Sequence, residues 1–147
     1  MGEYDLVIKN GTVIDTVQGI NIRKDVGIKH GLIVAVENHI SDINASDIID
    51  ATGMLVTPGL VDLHVHVWWG VAHLAIEADS SCVARGATTV VDAGSSGSNT
   101  FPGFRRFVID SALTRIYAFL NISGMGQLDS EIGELEDMRW ARPERAQ

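Results

Sequence analysis

The first part of the chain alternates between short apolar runs and turn signals. Apolar and polar positions alternate within residues 4–57, as in the segments YDLVIKNGTVID and DVGIKHGLIVAVE. This alternation is typical of strands that have one covered face and one wet face. Three dipeptides have the composition of tight turns, namely Asn10-Gly11, His30-Gly31 and Thr52-Gly53. The pattern predicts a small antiparallel sheet.

The pattern changes after Pro58-Gly59, where apolar runs alternate with amphipathic ones. The predicted elements are strands at residues 60–68, 87–95 and 115–123 and helices at residues 73–85 and 100–113, with Gly86 just past the end of the first helix. Strand and helix alternate, which favours parallel strands joined by right-handed crossovers in an α/β sheet or barrel. The charged last segment, residues 129–147, is predicted to be helical. The chain is therefore predicted to be an α/β protein with two domains, residues 1–57 and 58–147.

Net charge, hydrophobic run lengths and cysteine count limit the expected partners, location and cysteine chemistry of the chain. The 147 residues carry a formal net charge of −8, which would repel nucleic acid and anionic membrane surfaces, so neither is an expected partner. No segment has the pattern of a signal peptide or the length of a spanning helix, and a cytoplasmic location is expected. The single cysteine, Cys82, can form neither an internal disulfide nor a thiolate metal cluster. It is predicted to be a small buried hydrophobic residue.

One apolar run carries candidate chemistry. In the segment TPGLVDLHVHVWWG, Asp62, His64 and His66 stand at every second position, so on a strand they would share one face. Two imidazoles at this spacing can bind one metal ion at about 2.0–2.1 Å, and a neighbouring carboxylate can orient an imidazole through its second nitrogen. A bare His-x-His pattern also occurs by chance. Histidines that are merely hydrogen-bonded are the alternative interpretation.

Several segments together resemble a known family. KNGTVID, KHGLIVAV and IIDATGMLVTPGLVDLHVH are similar to the opening of the amidohydrolase superfamily, and RGATTVVDAGSSGSNTFPGFRRFVID and RIYAFLNISGMG resemble its dihydroorotase and deacetylase branch. The resemblance implies a small N-terminal β-sandwich followed by a TIM (β/α)8 barrel. This chain would contain the N-terminal portion only.

The resemblance also implies roles for individual residues. His64 and His66 would be metal ligands, and Asp62 would support them. Asp92, Ser95 and Ser96 are predicted substrate contacts because they lie at the end of the second barrel strand, where barrel active sites assemble. Trp68, at the top of the first strand, is a further candidate substrate contact, and packing at the barrel mouth is the alternative. The implied reaction is hydrolysis of a C–N bond in a small-molecule amide or cyclic amide, assisted by a divalent metal ion, with zinc expected. His73 is weighed as a third ligand, although a surface position is favoured.

The motif lacks the partners that the family supplies from later strands. These are a lysine, two further histidines and a proton-shuttling aspartate, whereas here the last lysine is Lys29 and the last histidine is His73. About 90 residues follow Pro58, enough for three βα units of a barrel that takes about 250. We therefore expect no catalytic residue in this chain, little activity from it alone, and a homo-oligomer or partner chain that supplies missing strands. The alternative is a non-catalytic truncated homologue that folds only with a partner.

Overall fold

The computed structural model describes residues 2–146. The chain divides into two compact units, of which the first ends at Pro58 and the second begins at Gly59. In the part of the chain that the structure describes, no helix has the length and apolar character needed to cross a membrane.

The first unit is a mixed five-stranded sheet. Its strands are β1 (Tyr4–Asp15), β2 (Ile20–Lys29), β3 (Leu32–Glu37), β4 (Ala45–Asp50) and β5 (Leu55–Val56). The order is β3-β2-β1-β4, and β5 also pairs with β1. β1, β2 and β3 are antiparallel as predicted, but β4 and β5 run parallel to β1. The purely antiparallel prediction is wrong for these two strands, because the chain crosses through a 3-10 turn at Asp42–Asn44 before it pairs with the other edge of β1.

The three turn signals have different outcomes. His30 and Gly31 both have positive φ, 51° and 74°, and form the predicted hairpin turn between β2 and β3. Thr52-Gly53 is also a turn. Asn10-Gly11 is instead a bulge inside β1, where Asn10 has a φ of 66° and the pairing with β2 shifts register. The left-handed conformation that Asn-Gly favours is used here to bend a strand rather than to reverse the chain.

A buried ion pair lies inside the first unit. Lys9 is 7% exposed and Asp25 is 3% exposed. Lys9 Nζ donates to the carbonyl oxygen of Ile40 at 2.7 Å, pairs with Asp42, and lies 3.8 Å from Asp25 Oδ2. The Asp25 carboxylate also accepts the backbone N–H groups of Asn10 and Ile40, each at 2.9 Å. The charge of Asp25 is thus neutralised and both of its oxygens are hydrogen bonded.

The second unit is a parallel three-stranded sheet with helical connections. Its elements are β6 (Leu60–Val65), α1 (Ala78–Ser81), β7 (Ala87–Asp92), α2 (Phe101–Phe104) and β8 (Arg115–Ala118). The strand order is β6-β7-β8, and both pairings are parallel. α1 continues into a 3-10 turn, Val83–Arg85, and α2 continues into a π-helical turn, Arg105–Ile109. The chain therefore has the predicted α/β class, a β-sheet unit followed by parallel strands with helical connections, the pattern in which a TIM barrel begins.

Every predicted element of the second unit is shorter than expected or differs in type, including the first two strands, which end at Val65 and Asp92. The helix predicted at residues 73–85 begins only at Ala78, because the Glu77 carboxylate caps it by accepting the N–H groups of Asp79 and Ser80. The third strand ends at Ala118 instead of continuing to residue 123.

The charged last segment is not a continuous helix. It contains two 3-10 turns, Met138–Trp140 and Pro143–Arg145, and Gln147 lies outside the described residues. Asp129 and Asp137 accept backbone N–H groups of nearby residues, which closes local turns in place of helical hydrogen bonds.

The core of the second unit packs the segment after β6 against α2. Trp68 and Phe104 lie at its centre, with ring centroids 5.6 Å apart. Cys82 belongs to this core, as predicted, and burial raises the pKa of its thiol. The outer strands are less covered. Large apolar side chains are more than half exposed at the following positions of β6 and near β8: Leu60, Val61, Leu63, Tyr117 and Phe119.

Candidate metal centre

The two histidines lie side by side at the end of β6. His64 is in the strand and His66 follows it directly, and their ring centroids are 5.5 Å apart with an interplanar angle of 78°. His64 is exposed and His66 is partly buried. Strict alternation along the strand does not hold, because the pairing of β6 with β7 shifts register between Asp62 and Val65. The structure brings the imidazoles together despite this bulge, since two residues separate them.

Asp62 has a different partner from the one expected. Its carboxylate Oδ1 accepts the backbone N–H of His64 at 3.0 Å, and its side chain is exposed. The hydrogen bond therefore supports the backbone before the first histidine. Support of an imidazole ring by Asp62 stays a prediction.

Asp92 braces the ends of two strands. It is 0% exposed and is the last residue of β7. Its Oδ2 accepts the N–H of Val67 at 2.8 Å, and its Oδ1 accepts the N–H groups of Gly94 at 3.1 Å and Ser95 at 2.7 Å. Val67 follows His66, so one carboxylate joins the backbone beside the second histidine to the turn after β7. Three donated hydrogen bonds compensate the carboxylate for its loss of hydration.

Ser95 contacts the second histidine directly. Its Oγ lies 3.0 Å from His66 Nδ1 at hydrogen-bonding geometry, and the serine is 0% exposed. Sequence reasoning placed Ser95 near the site but missed this contact. No local signal could have found it, because the two residues are 29 positions apart and on different strand ends.

The segment after β8 covers the predicted substrate contacts. The N–H of Asn121 donates to Ser96 O and that of Gln127 donates to Ser95 O, each at 2.9 Å. Gly97 leaves room for this approach, because a Cβ there would lie 1.8 Å from Ser123 O. Ser96 is fully buried and, within residues 2–146, its hydroxyl has no hydrogen-bond partner. Substrate contact by Asp92, Ser95 and Ser96 stays a prediction, made for side chains that the structure places in the interior.

Trp68 lines a cavity apart from the histidines. The cavity has a volume of about 390 Å³ and lies between the segment after β6 and the helix that begins with α2. Its lining includes Trp68, Trp69, Glu77, Asp79 and Phe107, but neither of the two histidines. Trp68 itself is 6% exposed and belongs to the core. Its role as a substrate contact also stays a prediction.

The described residues contain no complete set of metal ligands. Within residues 2–146, no three or more His, Cys, Asp or Glu side chains are grouped to hold a metal ion. His73 is exposed, and its backbone N–H donates to Gln127 O at 3.3 Å. Lys9 and Lys29 are engaged within the first unit, Lys9 with Asp25 and Asp42 and Lys29 with Asp5.

Comparison with known proteins identifies the family. No family model matches the chain. The chain is 40% identical over 110 residues to a deacetylase from Agrobacterium fabrum, an alignment that covers 74% of this chain and 27% of the relative. The structure is similar to a crystal structure of a dihydroorotase, with a TM-score of 0.85, 31% identity and coverage of 96% of this chain and 37% of the other. It is also similar to an adenine deaminase, with a TM-score of 0.76, 31% identity and coverage of 97% and 37%.

These relatives share one superfamily. The chain belongs to the amidohydrolase superfamily and corresponds to its N-terminal part. It spans about a quarter of the length of the deacetylase, 27%, and somewhat more than a third of the two solved structures.

Proposed function

We propose that this chain contributes the first metal ligands of a hydrolase that cleaves a C–N bond of an amide or cyclic amide. The observation that carries the proposal is the adjacent pair His64 and His66 at the end of the first barrel strand, 5.5 Å apart between ring centroids. The relatives support the reaction class, since they include a deacetylase, a dihydroorotase and an adenine deaminase. The natural substrate would be a small molecule with an amide or related group.

The histidine pair fits part of a metal site. Imidazole nitrogen is a common zinc ligand, and His66 Nδ1 is occupied by Ser95 Oγ, which leaves Nε2 for an ion. A catalytic zinc normally takes three protein ligands and a water. When bound, a divalent ion would polarise the scissile carbonyl and lower the pKa of a water molecule. We propose zinc, held by His64 and His66 together with ligands from outside the described residues.

The 147 residues alone are proposed to be inactive. The described residues offer no third ligand grouped with the histidines and no carboxylate beside them that is free for proton transfer, since Asp62 and Asp92 accept backbone N–H groups. The outer strands also expose apolar side chains, such as Leu63 at 70% and Phe119 at 67%. Further strands, from a second copy or another chain, would cover them and complete the site.

The exposed strand residues also favour a second candidate. A non-catalytic homologue that folds stably only with a partner chain would show the same uncovered apolar edges. It would differ from the first candidate in metal binding, because it would have no need to retain two metal ligands side by side.

Zinc titration of the purified chain tests the proposal. We expect weak binding at one site, loss of binding in His64→Ala and in His66→Ala, and no hydrolysis of N-acetyl amino acids or dihydroorotate. His73→Ala is the matched control, since His73 is exposed and its described hydrogen bond uses only the backbone. Absence of zinc binding by the unaltered chain would contradict the metal assignment. Stoichiometric zinc with amide turnover, both abolished by His64→Ala, would contradict the incomplete site.

A further inference from the structure

We propose that Ser95 is a positioning residue for His66, with a hydroxyl that holds Nδ1 of the imidazole and leaves Nε2 as the metal-binding nitrogen. The inference rests on the proposed function for its purpose, although its geometry is independent of that function. It assigns Ser95 a contact with a ligand residue, which is a different role from the substrate contact predicted from sequence.

The hydrogen bond itself is well defined. Ser95 Oγ and His66 Nδ1 are 3.0 Å apart, and Ser95 is 0% exposed. Among the hydrogen bonds of residues 2–146, this is the single one made by the Ser95 hydroxyl. Water has little access to the hydroxyl, so the imidazole meets little competition for it.

The backbone on both sides of this contact is anchored to one carboxylate. The Ser95 N–H donates to Asp92 Oδ1 at 2.7 Å, and the N–H of Val67, next to His66, donates to Asp92 Oδ2 at 2.8 Å. Gln127 adds a third anchor, because its N–H donates to Ser95 O at 2.9 Å. These bonds limit how far the hydroxyl and the ring can move apart. Such fixed support is what a metal ligand needs to keep one orientation.

The chemistry commits the proposal to one tautomer. A neutral imidazole carries one N–H, so a hydroxyl that accepts from Nδ1–H leaves the lone pair of Nε2 free. If the hydroxyl instead donated to Nδ1, the proton would be on Nε2 and that nitrogen could not bind a metal ion. The role of Ser95 can therefore be tested in the metal-free protein.

Nitrogen NMR of the full 147-residue chain provides the test. At about pH 8, the His66 ring should show a protonated Nδ1 in the unaltered protein and a shift toward protonated Nε2 in Ser95→Ala. Ser123→Ala is the control, because Ser123 is also 0% exposed and its hydroxyl has no partner within residues 2–146. Its His66 signals should match those of the unaltered chain.

Zinc affinity provides the second readout. Loss of the support should weaken binding about tenfold in Ser95→Ala and leave it unchanged in Ser123→Ala. A protonated Nε2 in the unaltered chain, or identical His66 signals in Ser95→Ala, would overturn the positioning role. If Ser95→Ala does not fold, the tautomer of the unaltered chain decides the question alone. If the unaltered chain takes up no zinc, the proposed function fails while the NMR result still decides the role of Ser95.

Discussion

Each unit of the chain buries one aspartate in a different way. In the first unit, Asp25 accepts two backbone N–H groups and lies 3.8 Å from the buried ammonium of Lys9. In the second unit, Asp92 accepts three backbone N–H groups, and the described residues give it no ion pair. A lysine on any neighbouring strand can supply a countercharge to a buried carboxylate. Three backbone N–H groups can converge on one carboxylate only where the chain turns. The second arrangement lies at the end of β7, where the chain leaves the sheet.

The largest loss of stability is expected from removing the Asp92 carboxylate, which has no ion-pair partner among the described residues. Asp92→Ala would leave three buried N–H groups without acceptors, and we expect the free energy of unfolding to fall by roughly 4 kcal/mol. Urea unfolding followed by tryptophan fluorescence measures this, because Trp68, Trp69 and Trp140 all lie in the second unit. Asp110→Ala is the control, since its side chain is exposed and makes only a 3.8 Å ion pair with Arg105. A loss below about 1 kcal/mol would mean that water replaces the carboxylate.

The next largest effect is expected from removing the cation in the first unit. Lys9→Met would leave Asp25 without its buried countercharge and with only the exposed His39 at 3.8 Å, at a cost of about 3 kcal/mol. Hydrogen exchange of β1 and β2 amides measures the local change, because the first unit contains no tryptophan. Lys24→Met serves as control, since Lys24 makes its hydrogen bond at the surface with Asn38. Equal protection in both variants would show that the N–H donors and His39 stabilise Asp25 without Lys9.

A smaller loss of stability is expected in acid, through protonation of Asp25. Burial acts to raise the pKa of Asp25, but the N–H donors Asn10 and Ile40 and the charges of Lys9 and His39 together lower it below 3.8. The carboxylate therefore stabilises the folded state fully above pH 3.8, and this contribution is lost as the pH falls through the lower folded pKa. The difference in stability between the unaltered chain and Asp25→Asn should be greatest near neutral pH and shrink in acid. A difference that stays constant with pH would contradict the assignment.

The smallest effect is expected at a third, partly exposed aspartate. Asp79 joins α1 to the start of β8 by accepting the N–H of Leu113 at 3.0 Å and the N–H and Oγ1–H of Thr114, each at 2.8 Å. These hydrogen bonds lower the pKa of Asp79. Asp79→Asn keeps one acceptor oxygen, and the side chain is partly exposed to water. We therefore expect the free energy of unfolding, measured by tryptophan fluorescence, to fall by about 1 kcal/mol or less. If Asp79→Asn lost as much stability as Asp92→Ala, burial would not explain how much each aspartate contributes to stability.

Sequence patterns predicted most of the architecture. Alternation and apolar runs predicted the sheet unit and the parallel strands, and the structural relatives confirm the α/β class. His30-Gly31 predicted its turn because positive φ at both residues is a local property. Asn10-Gly11 has the same local preference, yet it forms a bulge because β1 is paired on both sides and continues through it. The prediction of a helix at residues 129–147 is wrong because side chains there accept hydrogen bonds from nearby backbone N–H groups.

The candidate site was predictable only in part. His64 and His66 are two residues apart, so any extended strand places them near each other, and sequence alone determined that juxtaposition. The contact of His66 with Ser95 and the three donors around Asp92 were decided by the tertiary structure. These interactions depend on the pairing of β6 with β7 and on the directions of backbone N–H groups after the strands end. Residue spacing carries no information about either, because both arise only once distant segments have come together.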